Sequence, residues 1–404
     1  MHLRKPTAFL VYLLLKTLIA LSTFLGVSGC GGSSQKETTS SPAPTPTQPT
    51  PSPAPAPASA AQEFFVSTSG SDSNSGSQSA PWATIQHAAT MVVAGNTVHV
   101  APGTYASPLT TTASGTASAR IRFVSDVQWG AQVTTTGASA SWENNGDYVD
   151  IMGFSISGDG NIGILNQGSN VRIVGNEVHD IPVSDCTENG GAGIDDANYS
   201  AQNDDIIANY VHDIGSLSRA CLRVQGIYHS NLGGHIWNNI SVRNEAWGIQ
   251  LWHAANAVVV ANNLSSQNGA GGVTVGAGDA PGGVTANNMV ITNNVVLYNG
   301  SGGTGVGILE TGSTGPNNFY GNNVVFGSAT PVGLQTGAAS NTIVADPNLL
   351  NAPDPHALCN SGFVLGAGTS TGAPPMDING APRPNPPDIG PYQCGGSDPA
   401  WPWM

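Results

Sequence analysis

The chain has 404 residues, and its 25 acidic against 11 basic residues give a formal net charge of −14 at pH 7. No lysine follows Lys36, so no basic stripe exists for a phosphate backbone, and nucleic acid is excluded as a partner. With 52 glycines and only 9% charged residues, the composition fits a tightly turning β array.

At the N-terminus, Arg4, Lys5 and Lys16 flank a short apolar run at Thr17–Val27. A run this short with basic flanks reads as a secretory signal and not as a spanning helix. Val27-Ser28-Gly29-Cys30 resembles the bacterial lipobox. That resemblance implies cleavage after residue 29, lipidation of Cys30 and a membrane anchor at the outer membrane or cell surface; a secreted protein with an unlipidated signal is the alternative. Without residues 1–29, 8 basic residues face 25 acidic ones, a net charge of −17. This balance disfavours bare polyanions unless Ca²⁺ or local arginines bridge the like charges. Residues 30–62 are mostly Ser, Thr, Pro, Ala, Gly and Gln, a spacer with nothing to bury.

An entry segment follows, from Phe64-Phe65-Val66 through Gly103-Thr104-Tyr105. Within it Ile85, Ala88, Ala89 and Val92 recur at helical spacing, which predicts a short helix covering the open end of a stack.

Beyond it, six segments read apolar-x-x-Asn followed by a further apolar residue or pair, as in Ile206-Ile207-Ala208-Asn209-Tyr210-Val211 and Ile291-Thr292-Asn293-Asn294-Val295-Val296. Their asparagines, at 176, 209, 239, 263, 294 and 323, are 33, 30, 24, 31 and 29 residues apart. Such a period means stacked supersecondary units. Each unit is built of short β-branched runs, and a Gly-apolar element recurs between the asparagines: Gly163-Ile164, Gly193-Ile194, Gly226-Ile227, Gly248-Ile249, Gly272-Val273 and Gly307-Ile308. This describes a parallel β-solenoid, with the asparagines stacked as a structural ladder.

On these residues the chain resembles the right-handed parallel β-helix proteins, the pectate lyase-like superfamily that also holds polygalacturonases and mannuronan epimerases. The resemblance covers roughly 64–394 and implies an all-β fold: a single right-handed parallel β-helix over 63–345, with a short N-terminal capping helix and an irregular C-terminal tail, 346–404, packed on the helix end. It implies a polysaccharide partner and a monomer. Activity is not implied with the same force, because one solenoid hosts many chemistries. Many β-helix lyases use a Lys or Arg base in a Ca²⁺ site, and no lysine is available here. No cofactor is required by the sequence, with Ca²⁺ the one candidate.

Cys186 and Cys221 follow the ladder residues Asn176 and Asn209 by 10 and 12 positions, so they occupy the same loop on consecutive turns. Turns stacked about 4.8 Å apart suit a disulfide's Cα separation of roughly 4.4–6.8 Å. Cys186–Cys221 is expected, with Cys359–Cys394 closing the tail. From ladder asparagine to the next Gly-apolar strand there are 17 residues after Asn176 and Asn209 but 9 after Asn239 and Asn263. Two long, stapled loops make a wall beside a cleft.

Polar residues cluster on the strands facing that wall. If the residue after each Gly points inward, Asp195, Tyr228 and Gln250 point outward in one row. Asp196, His229, His253 and Glu310 fall near strand ends, where either face is open to them. Arg219 and Arg223 enter from the stapled loop, and Trp247 and Trp252 offer ring faces to a sugar. Asp195, Asp196, Tyr228, His229, His253 and Glu310 are the catalytic candidates; Arg219, Arg223, Gln250, Trp247 and Trp252 are the substrate-binding ones. Lyase- or epimerase-like chemistry on a uronate-containing glycan would use Tyr228, His229 or His253 as base and Arg223 or a cation on Asp195 and Asp196 to neutralise the sugar carboxylate. Glycoside hydrolysis would draw its carboxylates from Asp195, Asp196 and Glu310. A non-catalytic glycan-binding or adhesive surface protein is the third possibility, and Asp195-Asp196 as mere acceptors of backbone N–H groups is the structural one.

Overall fold

The computed structural model describes residues 61–106, 108–184, 186, 190–218, 221–279, 282–300, 305–347, 359, 361–395 and 401–402. Residues 1–60, where the sequence leads one to expect a signal, a lipidated Cys30 and a spacer, lie outside them, as does Arg219.

The chain winds into a solenoid of three parallel sheets. The first has eleven strands, from Glu63–Val66 to Ala338–Ser340. The second has nine, from Gly103–Ala106 to Val324–Phe326, and the third nine, from Leu109–Thr111 to Thr330–Gly333. One turn takes each sheet in order, as in Asp205–Ile207, Tyr210–Ile214 and Val224–His229 before the chain returns to the first sheet at His235–Trp237. Each strand pairs in parallel with its counterpart one turn away.

Register sets the core. Ile151, Ile173, Ile206, Ile236, Val260 and Ile291 stack in the first sheet. Ile164, Ile194, Ile227, Ile249, Val273 and Ile308 stack in the third. All twelve are at most 2% exposed. A strand alternates faces, so one β-branched residue per turn, kept in register, is enough to build a continuous apolar column. The helix forms at Ile85–Met91, its first turn capped by Thr84, whose hydroxyl accepts from the His87 N–H, and it buries Ile85, Ala88 and Ala89.

The expected asparagine ladder is continuous. Asn176, Asn209, Asn239, Asn263 and Asn294 each donate both backbone N–H and Nδ2–H to the Oδ1 of the next ladder asparagine, at 2.8–3.1 Å. A second ladder, Asn244–Asn268–Asn299, turns the next corner in the same way.

The tail differs from expectation: its described residues lie along the flank, not on the end of the stack. The residue before each ladder asparagine has a positive φ. Asn238, Asn262, Asn293 and Asn322 there donate to the carbonyls of Met376, Asp388, Thr369 and Ala367. Earlier turns place Gly153 and Gly175 at this corner, where an added Cβ would come within 2.3 and 2.7 Å of the Trp401 ring. The tail docks here because the second sheet's outward residues are apolar on these turns: Ile240, Val242, Leu264, Val295, Leu297 and Val324 pack with Val364, Ile378 and Ile389 of the tail.

Both disulfides are present, Cys186–Cys221 with Cα atoms 5.8 Å apart and Cys359–Cys394 with 5.4 Å. Replacing Cys186 and Cys221 together by serine should cost about 4 kcal/mol, because the bond closes a loop with a sequence separation of 35. Chemical denaturation of the double variant against the parent checks this; an unchanged midpoint would mean that the wall needs no staple.

Candidate functional site

The outer face of the third sheet carries Leu165, Asp195, Tyr228, Gln250 and Thr274 in one register row. Their inward neighbours, Ile194, Ile227 and Ile249, are fully buried, which forces the row outward. Around it, Tyr199 stacks tilted against His253 with ring centroids 4.4 Å apart, and Tyr228 meets the same imidazole edge-on at 6.2 Å. The return loop bearing Tyr199 is held by Asn198, whose Nδ2 donates to the Gln167 carbonyl at 2.6 Å. Gln225 Nε2 donates to Gln250 Oε1 at 2.8 Å, which leaves the Gln250 amide N–H groups to the open side.

The electrostatics are set by half-burial beside negative charge. Burial, and then the charge of Asp196, push the Asp195 carboxyl up to about 7. Its Oδ1 and the Thr274 hydroxyl are buried with no hydrogen-bond partner among the described residues. Burial, then Asp195, raises the Tyr228 phenol; burial, Asp195 and Asp279 do the same to Tyr199. His253 has its pKa lowered by burial, against the opposing pull of the Gly278 carbonyl and Asp279. Its Nδ1 is 3.0 Å from Gly278 O. A carbonyl only accepts, so Nδ1 carries the hydrogen and neutral His253 presents the lone pair of Nε2. The cluster therefore holds a neutral base, two protonated phenols and a carboxylic acid poised near neutrality.

Three catalytic candidates are corrected. Asp196, His229 and Glu310 point into the solenoid and are at most 1% exposed. The strands Gly191–Asp196, Val224–His229 and Val306–Gly312 run through these positions, so alternation continues where the sequence suggested a corner. Asp196 and His229 extend an internal polar column. Thr111 donates to Asn144, Asn144 to Asn166 and Asn166 to Asp196, and Asp196 Oδ2 lies 2.7 Å from His229 Nδ1. Asp204 sits against Asp196, and burial followed by that neighbour's charge raises its pKa far above the carboxylate range, so it is held as the neutral acid.

Glu310 is a structural anion. Its Oε2 accepts from the N–H groups of Gln335, Thr336 and Gly337, and its Oε1 from Asn318 and the Tyr320 hydroxyl. Burial opposes its ionisation, but these donors outweigh burial and hold its pKa at about 2. A depressed carboxylate stabilises the fold above its unfolded value, and that contribution disappears as pH falls from the ordinary value near 4.5 toward 2. It amounts to about 3 kcal/mol. Acid unfolding of Glu310→Gln should lose this part of the pH dependence, and an identical acid limb in variant and parent would refute the assignment.

Of the substrate-binding candidates, Gln250 is in the row. Trp247 lies over Gly271 and Trp252 over Gly276, Gly278 and Gly312, each half-buried with side-chain atoms where a Cβ would stand. Arg223 is exposed in the stapled loop, where its carbonyl accepts from Gly191. Tyr199, Asp279 and Gln225 were not found from the sequence. Tyr199 follows the Asp pair by only three residues, but it lies on the return loop, outside the aligned strands. No cluster of three or more His, Cys, Asp or Glu side chains that would hold a metal occurs among the described residues.

Three parallel sheets, inward β-branched columns and an asparagine-laddered corner define a right-handed parallel β-helix. Residues 68–354 match a family described as a protein of unknown function (DUF1565), and the chain belongs to that family. No curated protein matches it. Among solved structures, pectate lyase Pel9A is similar at 18% identity, over 83% of this chain and 97% of that one, with a TM-score of 0.56. The complex of XylC with xylose is similar at 12% identity over 70% of each chain, with a TM-score of 0.51. An alginate lyase from Paenibacillus sp. str. FPU-7 shares 18% identity over 70% of this chain and 95% of its own, at a TM-score of 0.49. Likeness at such identities is a likeness of fold.

Proposed function

We propose that the protein is an extracytoplasmic, carbohydrate-active β-helix that binds polysaccharide along the outer face of the third sheet and acts on a uronate-containing glycan by lyase- or epimerase-like proton abstraction. The observation that carries this is the convergence of Tyr199 and Tyr228 on His253, with ring centroids 4.4 and 6.2 Å away, beside Asp195. In this reading His253 Nε2 takes the proton at C5. Protonated Asp195 and the Gln250 amide hydrogen-bond the sugar carboxylate, which removes the need for a cation at that point. Tyr228 or Tyr199 supplies a proton, to the leaving oxygen in elimination or to the opposite face of C5 in epimerisation. Trp247 and Trp252 border the row as ring platforms. The unpaired Asp195 Oδ1 and Thr274 hydroxyl support a ligand here, since buried polar atoms ordinarily find partners. The two disulfides support an oxidising compartment, and lipidation at Cys30 with anchoring as a monomer completes the proposal.

One observation favours a second reading. Asp195, pushed up to about 7, and the exposed Asp279 are two carboxyl groups in unlike environments, the pairing a glycoside hydrolase needs. The deciding experiment incubates residues 62–404 with a panel of uronate polysaccharides, with and without Ca²⁺, and follows ultraviolet absorbance of an unsaturated product, new reducing ends, and exchange of the C5 proton in deuterated solvent. Absorbance means elimination, exchange without cleavage means epimerisation, and reducing ends without absorbance mean hydrolysis. None of the three, with polysaccharide still bound, would leave a binding protein.

A further inference from the structure

The second sheet's outer face changes character along the stack. Where the tail covers it, it is apolar; on earlier turns it carries Gln132, Thr134, Ser155, Ser157, Glu177 and His179. On this polar half Ser155 Oγ lies 3.0 Å from His179 Nε2, and His179 Nδ1 lies 2.8 Å from Asp180 Oδ2. A carboxylate accepts, so Nδ1 carries a hydrogen, and in the tautomer with a single N–H the Nε2 lone pair faces the serine hydroxyl. Nucleophile, base and orienting acid are thus in hydrogen-bond sequence, the arrangement that activates serine whatever the fold. Gln132 is the register neighbour of Ser155 one turn back. Thr104 Oγ1 donates to its Oε1 at 3.3 Å, which leaves the two Nε2 hydrogens as the free donor end. Glu177, the register neighbour on the other side, places Oε2 3.8 Å from His179 Nε2 and also reaches the serine hydroxyl. It is placed to stabilise an imidazolium. The His179 side chain is 22% exposed and Ser155 7%, so the site meets solvent chiefly through the imidazole, with the hydroxyl nearly covered.

We infer that Ser155, His179 and Asp180 form a second active site, independent of the Asp195 cluster, that hydrolyses carboxylic esters of short acyl groups carried on carbohydrate hydroxyls. Ser155 Oγ attacks the ester carbonyl carbon while its proton passes to His179 Nε2. The tetrahedral oxyanion is held by Gln132 Nε2–H. The carbon–alkoxide bond breaks as the leaving oxygen takes the proton from Nε2. Water then adds to the acyl-serine by the same route, releasing the acid and restoring Ser155. Among the described residues this face is lined by hydroxyls and amides and carries no long apolar channel, hence the short acyl group and the polar alcohol.

The test uses the full chain, a fluorophosphonate probe and p-nitrophenyl acetate. One covalent adduct is expected, mapped by peptide mass spectrometry to Ser155, lost in Ser155→Ala and retained in Ser157→Ala, the neighbouring hydroxyl two residues on. His179→Ala should slow both labelling and ester hydrolysis by roughly a hundredfold or more. Circular dichroism of each variant confirms that the fold is retained. Absence of any adduct on the parent, or an adduct that persists in Ser155→Ala, would overturn the proposal.

Discussion

In the proposed reaction, replacing His253 by alanine is expected to lower turnover of a uronate polysaccharide by roughly a hundred- to ten-thousandfold while binding persists. The imidazole is the one neutral base in the cluster, its Nδ1–H fixed on Gly278 O and its Nε2 left to the substrate side. The pH profile sharpens the expectation. Burial lowers the His253 pKa, so the base is already deprotonated below the ordinary histidine range and the acidic limb should fall there. The proposed reaction needs Asp195 protonated to meet the sugar carboxylate, so activity should decline as pH rises through about 7. Asp195→Asn keeps a neutral hydrogen-bonding group and should remove that alkaline limb while leaving the acidic one. Initial rates across pH for parent and variant decide the matter. An alkaline limb unmoved by Asn at 195 would take Asp195 out of the mechanism, and full activity in His253→Ala would take the base out with it.

Asn263→Ala should destabilise the fold by about 4 kcal/mol. The side chain donates to Asn294 Oδ1 and the Ile236 carbonyl, and its own Oδ1 receives both N–H donors of Asn239. Alanine strands at least two fully buried polar groups, each costing about 1–3 kcal/mol. Against the marginal stability of an ordinary domain that is a large fraction. Asn145, exposed and with its side chain bonded through Nδ2 to Glu143, is the matched control, and its alanine variant should unfold within about 0.5 kcal/mol of the parent. Equal denaturation midpoints for the two variants would mean that the ladder is decorative.

The ladder and the apolar columns were legible because every turn repeats them. One residue per turn, in one environment, leaves a periodic trace. The Asn244–Asn268–Asn299 ladder was not seen, since three turns give too short a series. Asp195, Tyr228 and Gln250 were placed outward from the Ile beside each, and alternation is reliable within a strand. Asp196 and His229 sit one position further, and there sequence alone does not say whether the strand continues. It does, because Asn144 and Asn166 already occupy the same inward column and can receive them. Tyr199 and Asp279 belong to loops of unequal length, which no alignment of strands brings into view.

What the sequence determined by itself was therefore the periodic part: a parallel solenoid, its inward columns, its asparagine corner, its stapled loops and the direction of the row that bears Asp195. What only the tertiary structure decided was everything set by contacts between non-equivalent positions. The tail lies on the flank because six apolar residues happen to face outward on consecutive turns. Tyr199 and Tyr228 meet one imidazole because a return loop folds back over the sheet. Glu310 is an anchor because three N–H groups of a later loop close on it. A repeat is encoded locally and recurs; a contact between a loop and a strand depends on where the whole chain places each of them.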